Sequence, residues 1–386
     1  VKKDGKTIAN ISTDIVANAT LLDLPSKKPK YLENIEEKKS FPVLSDYSEI
    51  MLKLLASPNI ASKIWVYGQY DHEVGIRTVV KPGYDASVLR LDNGKFLSIK
   101  IDGNPKQCYI NPREGAIGCF EEACRNVVCT GAKPIGMLDH LQFGNPKDPE
   151  IFWTFLESLK GLTDFAKDFE IPCIGGKVSL YNETPKGSIK PTPVIGVIGL
   201  IDKKPLRIQK INSGDCLIMI GNTKDELGGS EYSEYIHKFI GGKCPAVDFS
   251  ESKKNMNAVL ELVENELIKS AHDCSKGGLA VAVSELCMTN LVGCTVPLDD
   301  VPGDNLASDE ILFSESHSRY LVTFEKKNIQ NLEELLKKHN VSFKTIGEFG
   351  GESIQFTTDS KPVIDLSVDK AQKTWLNSLK EMVMHA

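Results

Sequence analysis

Four clusters of polar and glycine residues interrupt the apolar runs of this sequence, and each holds residue types suited to anions. In "IPCIGGKVSLYNETP", Ile171 to Pro185, Lys177 stands directly behind Gly175 and Gly176, and Ser179 follows. Glycines let backbone N–H groups approach an anion and a lysine adds charge, which is the chemistry of a phosphate loop. The spacing excludes a Walker A loop, which needs a glycine where Ile171 stands. In "GMLDHLQFGNP" the alternation of a strand sends Asp139 and Leu141 to one face and His140 and Gln142 to the other. Two readings of Asp139 stand. It is a carboxylate at the mouth of a sheet, next to a Gly-Gly turn, that holds a nucleotide or Mg²⁺, or it caps the following loop and "FGNP" is only a turn.

The other clusters leave similar choices. "YGQYDHEV" carries Asp71 and His72 and is followed by "KPGYDASVLRL" with Asp85; "IDGNPKQCYINPREGA" carries Asp102 and Asn104 and leads into a helix that holds Glu114. In "AHDCSKGGLA", Asp273 precedes a glycine pair at a helix start, where backbone N–H groups either hold a phosphate or are capped by the aspartate. His72 and His140 are each a base or ligand, or a satisfied packing residue. No Ser/His/Asp or Cys/His nucleophile arrangement is present, so the legible chemistry is the handling of anions and nucleotides.

These residues need a framework, and the chain is long enough for two cores. At 386 residues it implies two domains of about 140 to 190 residues each. The segments expected are 1–24 as the remnant of a preceding domain and 25–60 as a linker and helix. Two domains follow, 61–203 with the nucleotide site and 204–386. "DGKTIANIST" reads as one strand after an Asp-Gly turn, and "DLPSKKPKYLENIEEKKSFP", with three prolines among lysines and glutamates, as a surface linker. In the first domain "ASVLRL" and "FLSIKI" read as strands. A helix runs from Pro112 to about Thr130, a longer one starts at "DPEIFW", and "TPVIGVIGLI" is apolar on both faces and so central. In the second, "GDCLIMIG" is a buried strand and "NMNAVLELVENELIKS" an amphipathic helix. The helix "SKGGLAVAVSELCM", the strand "RYLVTFE", the helix "IQNLEELLKKH" and the strand "SFKTIGEFG" follow. Helices and strands interleave, which gives the class α/β or α+β with mixed sheets.

Composition sets the limits. The net charge of -6 argues against a nucleic-acid surface, which usually carries a basic excess. The ten cysteines form no Cys-x-x-Cys pair and read as reduced thiols in a cytoplasmic protein. Cys119, Cys124 and Cys129 lie five apart on a helix, which keeps them off one face and favours buried small hydrophobes over a shared metal. No apolar run is long enough to span a bilayer, and "VKKDGKTIANIS" has no signal-peptide core, so no membrane partner is expected.

A family resemblance adds to this reading. "RNVVCTGAKPIGMLDHLQFGNPKDPEIFW", "CIGGKVSLYNET", "PTPVIGVIGLI", "AHDCSKGGLAVAVSE" and "LFSESHSRYLV", in this order, resemble the C-terminal half of the large subunit of the phosphoribosylformylglycinamidine synthase family. The likeness reaches upstream through "PGYDASVLRL" and "DGKTIANI" and covers nearly the whole chain. It implies a component of an ATP-dependent carbon-nitrogen ligase of de novo purine synthesis. In that reaction ATP activates the amide oxygen of formylglycinamide ribonucleotide, and ammonia displaces phosphate to give the amidine. The implied partners are the N-terminal half of the same enzyme, a glutaminase subunit that supplies ammonia from glutamine, and a small bridging subunit; the implied cofactors are ATP and Mg²⁺. The implied fold is the two-domain unit of the aminoimidazole-ribonucleotide-synthetase type, in which the N-terminal domain forms the pairing interface.

Carried over by residue, the resemblance gives Asp139 and Gly176 to ATP and Ser179 to the ribonucleotide substrate, with no catalytic residue in this half. Asp71, His72, Asp102 and Asp273 remain as an auxiliary phosphate site. Lys177 stands where bacterial relatives commonly have an asparagine ligand of Mg²⁺, and His140 and Gln142 stand where they often have asparagines. An ammonium has three donors and no acceptor, so either another oxygen replaces the ligand or Lys177 meets the phosphates directly. The family's catalytic histidine and main Mg²⁺ carboxylates belong to the N-terminal half, which this chain lacks. It is expected to be inactive alone and to pair with itself as a homodimer. Other readings are a free-standing relative, such as a small-molecule kinase or selenophosphate synthetase, whose glycine-rich N-terminal segment is not found here, and a non-catalytic nucleotide-binding scaffold that docks the other subunits.

Overall fold

The structure, a computed structural model, describes residues 1–18, 23–35, 40–206 and 210–385. At the N-terminus the chain makes a hairpin where one strand was expected. Asp4 and Gly5 both take left-handed φ, 49° and 75°, which turns the backbone tightly enough for β1 (Lys2–Lys3) to pair with β2 (Lys6–Thr7). Ser12 then caps a short helix, α1 (Thr13–Ala17). Residues 36–39 of the expected linker lie outside the described residues. The linker's earlier part is tied down: the ring of Tyr31 stacks on Tyr109 with centroids 4.4 Å apart, and its hydroxyl donates to the Tyr109 carbonyl at 3.1 Å.

Helices α2 (Ser48–Leu55) and α3 (Ile64–Tyr67) precede the first sheet but serve the second domain. Met51, Leu54 and Leu55 of α2 are fully buried in the core built around the C-terminal helices, and the Tyr47 N–H donates to the Val363 carbonyl at 2.7 Å.

The first domain runs through β3 (Thr78–Val80), β4 (Ser87–Arg90), β5 (Phe96–Asp102), α4 (Pro105–Ile110), α5 (Pro112–Val128), β6 (Lys133–Gln142), α6 (Pro149–Asp168), β7 (Cys173–Ser179), the small hairpin β8 (Glu183–Thr184) and β9 (Gly187–Ser188), and β10 (Thr192–Ile201). Proline at the first turn and a capping side chain, Asn111 or Asp148, start each long helix. The sheet order is β3-β4-β5-β10-β6-β7, antiparallel except for the parallel pair β6 and β7. As expected, β10 is central. Its Ile195 and Val197 are fully buried on the helix-covered side, while Val194, Ile198 and Leu200 on the other face stay partly exposed. The stretch Cys173–Ser179, read as a turn at the sheet edge, is instead an edge strand in register with β6.

The second domain comprises β11 (Asp215–Ile220), α7 (Phe249–Glu264), β12 (Ser270–Asp273), α8 (Gly278–Asn290), β13 (Cys294–Pro297), α9 (Ser308–Phe313), β14 (Tyr320–Glu325), α10 (Ile329–His339), β15 (Phe343–Phe349), β16 (Ser353–Thr358), β17 (Lys361–Ser367) and α11 (Val368–Met384). Its seven-stranded mixed sheet has the order β12-β14-β11-β15-β13-β16-β17. One apolar core joins the domains: Phe120, Val127 and Val128 of α5 share it with Val259 of α7 and Tyr320 of β14. That continuity fixes the groups described next.

Candidate functional site

Two places hold the sequence-predicted residues. The first is the edge of the first sheet, where Asp139 pairs in register with Gly176, His140 with Lys177 and Gln142 with Ser179. A side chain at Gly176 would put its Cβ 1.8 Å from Asp139 Oδ1, so only glycine leaves the carboxylate its place. Asp139 lies in the row of buried Ile195, on the helix-covered face. Partial burial raises its pKa from the ordinary aspartate value, against the opposing hydrogen bond from the Lys177 N–H. The register sends the side chains of Lys177 and Ser179 to the opposite, open face with His140 and Gln142. Asn182 braces the end of this edge, its Nδ2 donating to the carbonyls of Ser179 at 2.9 Å and Phe143 at 3.1 Å.

The second place is a cavity of about 580 Å³ between the two domains. Asp102 reaches it from the end of β5, Glu122 and Asn126 from α5 one turn apart, and Asp85 from the approach to β4. Across from them stand His272 and Asp273 at the end of β12 and Lys276 in the turn into α8. Of the four residues read as an auxiliary phosphate site, Asp102 and Asp273 meet here. Asp71 and His72 do not line the cavity; Asp71 accepts from the Glu73 N–H at 2.8 Å, and His72 Nε2 lies 3.1 Å from the Tyr67 carbonyl oxygen. The functional candidates that sequence reasoning passed over are Lys100, Glu122, Asn126, His272 and Lys276. The available signal was the Glu122/Asn126 pair at helical spacing, and nothing local linked it to residues far along the chain.

Every carboxylate here meets a cation of the chain. Lys276 Nζ lies 3.2 Å from Asp102 Oδ1 and 3.1 Å from Glu122 Oε1, and Lys100 Nζ donates to Asn126 Oδ1 at 2.9 Å. Asp273 Oδ2 accepts from Asn126 at 3.0 Å and from Arg125 at 3.4 Å, and Arg125 also pairs with Glu121. His272 sits between two acids, Nδ1 at 2.8 Å from Asp85 and Nε2 at 3.1 Å from Glu285, which raises its pKa well above the usual value despite burial. Asp102 falls to about 2, because Lys276 and Lys100 overcome its burial. Glu122 rises to about 8 through burial and the neighbouring Asp102 charge, so the pair keeps one proton at neutral pH.

Mg²⁺ does not fit the residues present at either place. At the sheet edge Lys177 has no acceptor to offer. In the cavity, Asp85, His272 and Asp273 bring one ligand atom each within 4.8 Å of one another. Yet both nitrogens of His272 face carboxylates, so the ring is an imidazolium without a free lone pair, and Mg²⁺ prefers oxygen ligands throughout.

The comparisons follow this geometry. Residues 83–201 match the profile of AIR synthase related protein, N-terminal domain, and residues 212–359 that of AIR synthase related protein, C-terminal domain. The chain belongs to the AIR synthase related family. This family member is 41% identical over 393 residues to the phosphoribosylformylglycinamidine synthase subunit PurL of Methanocaldococcus jannaschii, covering 99% of this chain and 53% of that one. It is 41% identical over 344 residues to the PurL subunit of Alkaliphilus metalliredigens, covering 88% and 46%. The chain thus spans about half the length of the curated relatives it matches. Among solved structures, Thermotoga maritima PurL complexed with FGAR superposes with a TM-score of 0.69 at 21% identity, covering 86% of this chain and 54% of that one. The same protein complexed with ATP gives 0.65 at 19%, covering 89% and 52%. These likenesses carry the fold of the AIR synthase related unit.

Proposed function

We propose that this chain is the C-terminal half of the large subunit of phosphoribosylformylglycinamidine synthase, the ligase that converts formylglycinamide ribonucleotide and glutamine-derived ammonia to the amidine at the expense of ATP. The observation that carries the reading is the open face of the first sheet. Leu97, Ile99, Ile101, Leu138, Val194 and Ile198 occupy it, and all are at least partly exposed. An apolar sheet face of this kind needs a partner. The half-length match to PurL subunits supports the other half of the same enzyme as that partner.

In this reading Asp139 and the bare backbone at Gly176 contact ATP, and Ser179, held by Asn182, donates to the ribonucleotide. The ammonia arrives from a glutaminase subunit with a small bridging subunit in the assembly; the solved PurLQS structure of Thermotoga maritima matches this chain in fold with a TM-score of 0.63. Mg²⁺ enters with the nucleotide's own phosphates and with ligands of the other half, because neither of the two places described above fits it. Ten unpaired cysteines, nine of them buried or half-buried, favour the cytoplasm. Among the described residues no helix is long and apolar enough to cross a membrane.

Mixing the purified chain with the N-terminal half of a PurL relative tests the proposal. Ammonia- and ATP-dependent amidine formation is expected only in the mixture. Turnover by this chain alone, or a mixture that binds ATP and stays inactive, would favour the free-standing enzyme or the scaffold instead.

A further inference from the structure

The loops that close the β6 and β7 edge meet at one side chain. Asn182 Nδ2 donates to the Ser179 carbonyl at 2.9 Å and to the Phe143 carbonyl at 3.1 Å, and the Asn182 N–H donates to the same Phe143 oxygen at 3.1 Å. The Phe143 N–H donates in turn to the Ser179 carbonyl at 3.0 Å, and the Tyr181 N–H to the Gly144 carbonyl at 3.0 Å. Phe143 is 1% exposed and meets Phe155 edge-on, so these bonds hang from the core. They also hold Tyr181 at a φ of 62°, a left-handed backbone that residues with side chains seldom adopt. The loop has no slack on its other side, because a Cβ on Gly144 would stand 1.9 Å from Ser188 Oγ in β9.

Two carbonyls can only accept, so the amide nitrogen of Asn182, and not its oxygen, must face them. That fixes what surrounds the Ser179 hydroxyl. Asn182 Nδ2 lies 3.2 Å from Oγ and Oδ1 lies 3.4 Å from it, and the hydroxyl has no other partner among the described residues. A hydroxyl that donates well does so at about 2.7–2.8 Å, so the approach to Oδ1 leaves the Ser179 proton unspent within the chain. The N–H groups beside Oγ cover its acceptor side.

We propose that Asn182 is a positioning residue for the ligation: it holds the Ser179 hydroxyl with its proton turned outward, toward an accepting oxygen of the ribonucleotide, carbonyl or phosphate. The inference rests on the reading of Ser179 as a contact of that substrate and adds what sets the polarity of the contact. Asp139 and Gly176 lie in register with each other three residues back along the same strands, about 10 Å away. The effect of Asn182 therefore belongs to the ribonucleotide and not to ATP.

Steady-state kinetics of the chain assembled with the N-terminal half of a PurL relative test it, with the substitutions made in this chain. Asn182→Ala is expected to raise KM for formylglycinamide ribonucleotide about tenfold, the loss of one oriented hydrogen bond, while KM for ATP stays within about twofold. Asn182→Asp keeps the shape but offers a carboxylate that accepts the Ser179 proton, and it is expected to raise the same KM further than Asn182→Ala. In a Ser179→Ala background neither substitution should add more than about twofold, because the hydroxyl they act through is gone. The proposal is overturned if Asn182→Ala leaves KM for the ribonucleotide unchanged, if KM for ATP rises in parallel, or if the losses stay fully additive with Ser179→Ala. Thermal melts show whether the variants fold, and unfolding of both would mark Asn182 as a brace of the fold and overturn the positioning role. A wild-type mixture without amidine formation would overturn the functional reading itself, whereas the other adverse results leave that reading standing.

Discussion

At the scale of single residues, the cavity's carboxylates divide one proton unequally. Lys276 touches both Asp102 and Glu122, but Lys100 adds its charge on the Asp102 side, so Asp102 stays ionised and Glu122 keeps the proton. The folded-state pKa of Glu122 is raised from 4.5 to about 8. A raised carboxyl pKa means the folded chain binds the proton more tightly than the unfolded one. This contribution is fully present below the unfolded value and lost as pH rises through the folded value. Glu122→Gln, which keeps the neutral shape, should therefore lose less stability than wild type between about pH 5 and pH 8. Denaturant midpoints across that range measure it, and parallel slopes would mean Glu122 is already ionised at neutral pH. Lys177 shows a different limit at this scale. Its type argues against a metal ligand from sequence alone, whereas its placement on the face opposite the Asp139 carboxylate emerges only from the strand register.

At the scale of elements, alternation and helical periodicity located most of the first domain because those signals act within a few residues. β10 reads as apolar throughout and is central; α5 and α6 carry their caps and prolines at their starts. Where the stretch around Gly175 and Gly176 was read as a turn, the pairing with β6 overrides the weak intrinsic strand preference of glycine. The tail strands β16 and β17 passed unnoticed, since polar residues of "SIQFTT" and a proline in "KPVIDLS" blur the pattern. Helix α2 is the clearest case of an element whose sequence hides its allegiance. It precedes the first domain in the chain, yet Leu54 is 0% exposed within the core of the second. Leu54→Ala should destabilise the protein by about 2–5 kcal/mol through lost burial and the residual cavity. Hydrogen exchange should show the loss in β17 and α11, which α2 touches, before β6 and β7. Opening first in the β6 and β7 edge would assign α2 to the other domain.

At the scale of the whole molecule, the open sheet face governs association. Ile101, 66% exposed, lies in one row with Gly196, Leu138 and Gly175, and glycine at two of these four positions leaves the surface flat enough for a second sheet. In the isolated chain, this face is expected to pair with its copy. Sedimentation of the chain should report a dimer, and Ile101→Asp should shift it to monomer with an unchanged melting temperature. A wild-type monomer, or a dimer indifferent to Ile101→Asp, would place the contact elsewhere. The domains themselves are joined by a continuous apolar core and by the buried pairing of Arg125 with Asp273, which tie the two walls of the cavity together.

The sequence by itself determined the mixed α/β class and the two-domain unit, because local patterns and ordered motifs carry that information. Only the tertiary structure decided which of the glycine and carboxylate clusters meet. Asp102 and Asp273 come together, while Asp71 and His72 stay outside, since the meeting depends on how one domain's strand ends face the other's. It also decided that Lys276 fills the space between Asp102 and Glu122, a contact between residues far apart in sequence that no local pattern encodes.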